Sequence, residues 1–107
     1  MDAAKKMQIK INTHEDVCRE LNDTYARKNA DYDDAFAKSF REYGMSMPCI
    51  RLEDKLNRLK ALTVKCQTAQ VNNESIEGTI KDLANYAIMT LVELKMMKEE
   101  LNNAEGN

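Results

Sequence analysis

LANYAIMTLVEL, residues 83–94, decides the fold. Wound as an α-helix, this stretch is apolar almost all round, and such a helix is buried on several sides. Followed outward, the same period predicts one long helix over about 74–102, with Asn73 as its N-cap. Its core stripe reads Ile76, Ile80, Leu83, Ala87, Leu91 and Leu94. A second row, Glu74, Gly78, Asp82, Asn85, Met89, Val92 and Met96, lies opposite, polar in its first half and apolar in its second.

Three further helices precede it. Thr13, with Asp16 three residues on, has the form of a capping box, so a helix is expected from 13 to about Asn29. Val17, Leu21, Tyr25 and Lys28 share one of its faces, and residues 1–12 are expected to be weakly ordered, like the tail from 103. A shorter helix over about 34–43 turns Phe36, Phe40 and Tyr43 inward and ends at Gly44. Another runs over about 48–67 behind Pro48, with Leu52, Leu56, Leu59, Thr63 and Cys66 as its stripe. TAQVNN (68–73) is a short polar connection. With three glycines, one proline and no internal repeat, the chain reads as a single all-α domain, an antiparallel bundle of about four helices.

Composition narrows the function. The chain has 107 residues, 43% hydrophobic and 32% charged, which fits a globular domain rather than a disordered segment. A formal net charge of -2 offers no basic excess for the backbone of duplex nucleic acid. No apolar run reaches membrane-spanning length, and no signal-peptide core opens the chain. Cys18, Cys49 and Cys66 are odd in number and scattered, and His14 is the sole histidine. Structural zinc and a histidine-based nucleophile are thereby disfavoured, and reduced thiols in a cytosol are the expectation. So short a chain with so apolar a last helix is expected to form a homodimer or homotetramer. The seven methionines read as adaptable filler.

The charged residues are patterned. Arg51, Lys55 and Arg58 are spaced i, i+4, i+7 and line up beside the leucine stripe of their helix, flanked by Asp54. Arginine suits bidentate contact with carboxylate or phosphate oxygens. Glu74 and Asp82 are expected to face an interior or an interface, where a carboxylate needs a partner. Either the Arg51/Lys55/Arg58 stripe or a hard cation such as magnesium would serve. Gly78 stands between the two acids. It either admits a close neighbour or has no special role. KNADYDD (28–34) reads either as the rim of a site for a charged small molecule or as a polar turn with local hydrogen bonds.

Three motifs in order, K-N-x-D-Y at 28, R-x-x-D-K-x-x-R-L at 51 and E-S-x-x-x-T-x-x-D-L-A-N-Y-A at 74, make residues 21–95 resemble the nucleotide-modification-associated domain of phages and bacteria. That domain is similar in layout to the MazG-like all-α nucleoside-triphosphate pyrophosphatases, although their usual E-x-x-E and E-x-x-D arrangement is not cleanly present. The resemblance implies a small nucleotide-handling protein of the (bacterial host) cytoplasm, with Mg2+ as cofactor if it is a pyrophosphohydrolase. It implies Lys28, Asn29, Asp31, Tyr32, Arg51, Lys55, Arg58, Asn85 and Tyr86 as substrate-binding residues. Asp54, Glu74 and Asp82 would be metal ligands, and Glu74 and Asp82 catalytic. Gly78 stands where the family pattern commonly has an acid, which favours a binder that sequesters a nucleotide without turnover. A structural oligomer held by interface salt bridges is the third reading.

Overall fold

A computed structural model describes residues 2–67 and 73–106. Four helices account for nearly all of them: α1 (Ala3–Asp31), α2 (Ala35–Tyr43), α3 (Ser46–Gln67) and α4 (Asn73–Gly106). No strand occurs among the described residues, and the all-α class is as the periodicity predicts. No helix there is long and apolar enough to cross a membrane. The chain divides into two compact units, Met1–Asp34 and Ala35–Asn107, each described by itself.

The first unit is α1 with its C-terminal turn. It starts ten residues before the expected point. Asp2 is the N-cap, its carboxylate accepting from the Lys5 N–H at 2.8 Å. Thr13 is therefore no cap. It sits mid-helix, and its hydroxyl donates to the Ile9 carbonyl at 2.8 Å, which satisfies the side chain within the helix. Residues 3–12, expected to be weak, are helical because lysine, glutamine, methionine and alanine are good helix formers and no glycine or proline interrupts them. Arg19 meets Glu15 and Asp16 at 3.7 and 3.4 Å on the solvent side.

KNADYDD ends this helix. The Tyr32 N–H donates to the Lys28 carbonyl at 3.1 Å and the Asp34 N–H to the Asn29 carbonyl at 3.3 Å. The Asn29 side-chain amide donates to an Asp34 carboxylate oxygen at 3.1 Å. Asp33 and Asp34 adopt left-handed backbone, φ 49° and 58°. Aspartate tolerates that region better than most residues, since its short side chain bonds locally. Of the two sequence readings of this stretch, the polar turn is the one its own hydrogen bonds describe.

In the second unit α2 packs on both α3 and α4, and α3 packs along α4. The chain between Gln67 and Asn73 reaches at most about 20 Å. That is well short of the roughly 33 Å length of a 22-residue helix, so α4 must return antiparallel to α3. The residues 68–72 of the expected connection, and the side chains of Cys66 and Asn73, lie outside the described residues.

α2 buries Ala37 and Phe40 and stops at Gly44, whose φ of 70° needs no side chain and whose N–H donates to the Phe40 carbonyl at 2.8 Å. Tyr43, expected inside, is exposed: it is the last residue of this short helix, one turn beyond Phe40. Pro48 occupies the first turn of α3, where no N–H is required, and is fully buried. From it the covered row of α3 runs Pro48, Leu52, Lys55, Leu59 and Leu62. Leu52 and Leu59 fall where the stripe was predicted, whereas Leu56 and Thr63 are exposed.

The larger correction concerns α4. Its most covered row is Thr79, Asp82, Tyr86, Thr90 and Glu93; of the predicted stripe Ile76, Leu83 and Ala87 are half-buried, while Ile80, Leu91 and Leu94 are exposed. The threonines go inside at little polar cost. Thr79 donates to the Ser75 carbonyl and Thr90 to the Tyr86 carbonyl, each at 2.7 Å. Among the described residues no buried side-chain nitrogen or oxygen lacks a hydrogen-bond partner.

Arg41 of α2 grips Glu100 of α4 with two hydrogen bonds, Nη2 to Oε1 at 2.7 Å and Nη1 to Oε2 at 3.1 Å. These bonds, opposed by desolvation and aided by the guanidinium charge, hold the Glu100 carboxyl below its ordinary 4.5. A lowered folded value contributes stability that is complete above the unfolded value and is lost as pH falls through the folded one. We expect the Glu100 carboxyl carbon to titrate by NMR below 4.5, and to return to the ordinary value in Arg41→Ala. An unchanged midpoint in that variant would remove the assignment.

Candidate functional site

The second and third motifs meet across α3 and α4. Lys55 is half-buried on the covered row of α3, a place that the long aliphatic stem of a lysine tolerates. Asp82 sits on the covered row of α4, opposite it. Lys55 Nζ lies 3.2 Å from Asp82 Oδ2, with the side chains 28% and 42% exposed. A pair this open to water contributes up to about 1 kcal/mol, and its value lies in fixing where two charges sit.

Arg51 and Arg58 flank Lys55 one turn away on either side, as the i, i+4, i+7 spacing requires. Both are exposed. Neither has an ion-pair or hydrogen-bond partner among the described residues. The edge of α3 thus carries three cations, the middle one tethered and the outer two available. Two guanidinium forks either side of an ammonium are suited to oxyanion groups spread over several ångströms, as in a chain of phosphates.

The remaining candidates are placed differently. Asp54 and Glu74 are exposed in the single chain, so of the two expectations for Glu74, an interior or an interface, the interior of its own unit is not where it lies. It lies in the first turn of α4, where a negative charge favours the helix dipole and solvent is close at hand. No group of three or more His, Cys, Asp or Glu side chains among the described residues is placed to hold a metal ion. Asp54, Glu74 and Asp82 are therefore not gathered into a magnesium site, and Asp82 already has a cationic partner. Asn85 is half-buried. The Tyr86 ring stacks on Phe36, centroids 6.1 Å apart and planes 29° from parallel, so it serves packing between α2 and α4.

Beyond its own helix nothing among the described residues lies within 4 Å of a Cβ built on Gly78, so that glycine admits no close neighbour among them. Lys28, Asn29 and Tyr32 belong to the first unit. Lys28 and Tyr32 are exposed, Asn29 is half-buried, and the side chain of Asp31 lies outside the described residues. Among the described residues Cys18 and Cys49 are exposed free thiols.

Sequence reasoning missed Glu93, which is buried on the same row as Asp82, and the threonines that share it. The spacing 79, 82, 86, 90, 93 was visible as a helical row. Most of its members are polar, so hydrophobic periodicity does not single it out.

Neither the curated proteins nor the solved structures contain a match to this chain. A family profile does match it, over residues 28–94, from the start of KNADYDD to the end of LANYAIMTLVEL. It spans all three motifs and both members of the Lys55–Asp82 pair, and on that match the chain belongs to the family described as nucleotide modification associated domain 1.

Proposed function

We propose that this protein binds a nucleotide through its phosphates, with Arg51, Lys55 and Arg58 of α3 as the anion-contacting residues and Asp82 as the group that positions Lys55. The observation that carries the reading is the 3.2 Å Lys55–Asp82 pair between two arginines that have no partner among the described residues. The family's association with nucleotide modification supports the ligand class. Binding is favoured over hydrolysis because the carboxylates Asp54, Glu74 and Asp82 are not gathered, and because Gly78 supplies no further acid. They do not fit a magnesium site formed by the protein alone, and the MazG-like phosphohydrolase reading rests on resemblance only.

A thermal-shift screen of nucleoside mono-, di- and triphosphates, with and without magnesium, followed by mass analysis of the recovered compound, tests this. The reading expects stabilisation that grows with phosphate number, weakens with salt and leaves the nucleotide intact. Magnesium-dependent release of phosphate or pyrophosphate, abolished in Asp82→Asn, would instead identify a hydrolase. No shift with any nucleotide would leave the charged rows as structural ion pairs.

A further inference from the structure

α4 leaves much of an apolar row uncovered. Ile80, Leu91, Leu94 and Leu101 are exposed, Leu91 by 65%, and Ala84 and Ala87 between them are only partly covered. The spacing 77, 80, 84, 87, 91, 94, 98, 101 alternates steps of three and four, the seam of a helix that pairs with another helix. Meanwhile the buried apolar side chains of the second unit come down to Ala37, Phe40, Met47, Pro48 and Leu62 among the described residues. So small a core leaves a domain of this size short of the burial it needs.

The two ends of the seam carry opposite charge: Glu77 near the start, Lys98 near the end, both exposed and neither with a partner among the described residues. We propose that this face is covered by α4 of a second copy running antiparallel. With the two-fold axis between Ala87 and Leu91, each alanine of one helix meets a leucine of the other, Ala87 with Leu91 and Ala84 with Leu94. Small residues opposite large ones fill the seam. Glu77 of each copy then comes within a turn of the partner's Lys98. A parallel pair would instead set Glu77 against the partner's Glu77 and Lys98 against the partner's Lys98. This inference does not depend on nucleotide binding.

Sedimentation equilibrium of the full chain decides it. The wild type should be dimeric at micromolar concentration. Leu91→Glu should be monomeric with unchanged helical circular dichroism, since the residue is exposed in the single chain. Glu77→Lys and Lys98→Glu should each weaken the dimer by about tenfold, two symmetry-related pairs being lost in each. The double variant Glu77→Lys/Lys98→Glu should restore it to within about twofold. Within one helix these residues are 21 positions, roughly 31 Å, apart, so restoration requires contact between copies. A monomeric wild type would overturn the proposal. A dimer unmoved by Leu91→Glu, or a double variant no tighter than the singles, would overturn it as well.

Discussion

Replacing Lys55 by glutamate should reduce nucleotide affinity by at least about a hundredfold while leaving the helices in place. Two losses combine. One charge-assisted contact to phosphate disappears, a loss of about 1.5–3 kcal/mol. A new carboxylate then stands beside Asp82, where the ammonium now lies at 3.2 Å, and repels both Asp82 and any incoming phosphate. Lys55→Met separates these terms. It keeps the half-buried stem and removes the charge without reversing it, so affinity should fall by about ten- to a hundredfold. Because the native pair is partly solvated, unfolding free energy should change by less than about 1 kcal/mol in Lys55→Met. Isothermal titration and urea denaturation of the same two variants measure both quantities. Equal affinities for wild type and Lys55→Glu would show that phosphate does not approach this edge of α3.

The largest effect on stability is expected at Phe40. It is 3% exposed and closes the space where α2 packs on α3 and α4. Truncation to alanine removes most of a large apolar side chain and leaves a cavity, at a cost of about 3–5 kcal/mol. A unit of this size has roughly 4–11 kcal/mol in total, so Phe40→Ala should be marginally folded at 37 °C. Tyr43→Ala, one turn on and exposed, should cost less than about 0.5 kcal/mol. The contrast is measurable by urea unfolding followed by circular dichroism. A cost below about 1 kcal/mol at Phe40 would move the stabilising core elsewhere, most directly to the α4 seam between copies.

The fold class was legible because helical period, scarce glycine and the Gly44 and Pro48 punctuation all point one way. The helix faces were less so. In LANYAIMTLVEL nearly every side is apolar, so periodicity alone could not say which row meets α3. The tie was broken by threonines that satisfy themselves on the preceding turn and by a lysine half-buried on the covered row of α3. Both are invisible to a hydrophobicity count. The start of α1 was missed for a related reason: Thr13 and Asp16 have the form of a cap, but a hydroxyl can bond back to Ile9 as readily as forward. Of the candidate site, the i, i+4, i+7 cations were readable from the wheel; of the two partners it left open for Asp82, a cation of that stripe or a metal ion, the chain shows Lys55. Glu74 is exposed in the single chain because helix termini sit nearer solvent than their row on a wheel suggests. The role of KNADYDD turned on local hydrogen bonds, Asn29 to Asp34 above all, which a one-dimensional pattern shared by rims and turns does not separate.

The most direct test of the phosphate-binding face is a chemical-shift titration of the isotopically labelled protein with a nucleoside triphosphate. The account predicts saturable changes concentrated at residues 51–58 of α3 and around Asp82 of α4, diminishing as salt is raised. Spectra that do not move, or movement confined to residues outside those two segments, would contradict it.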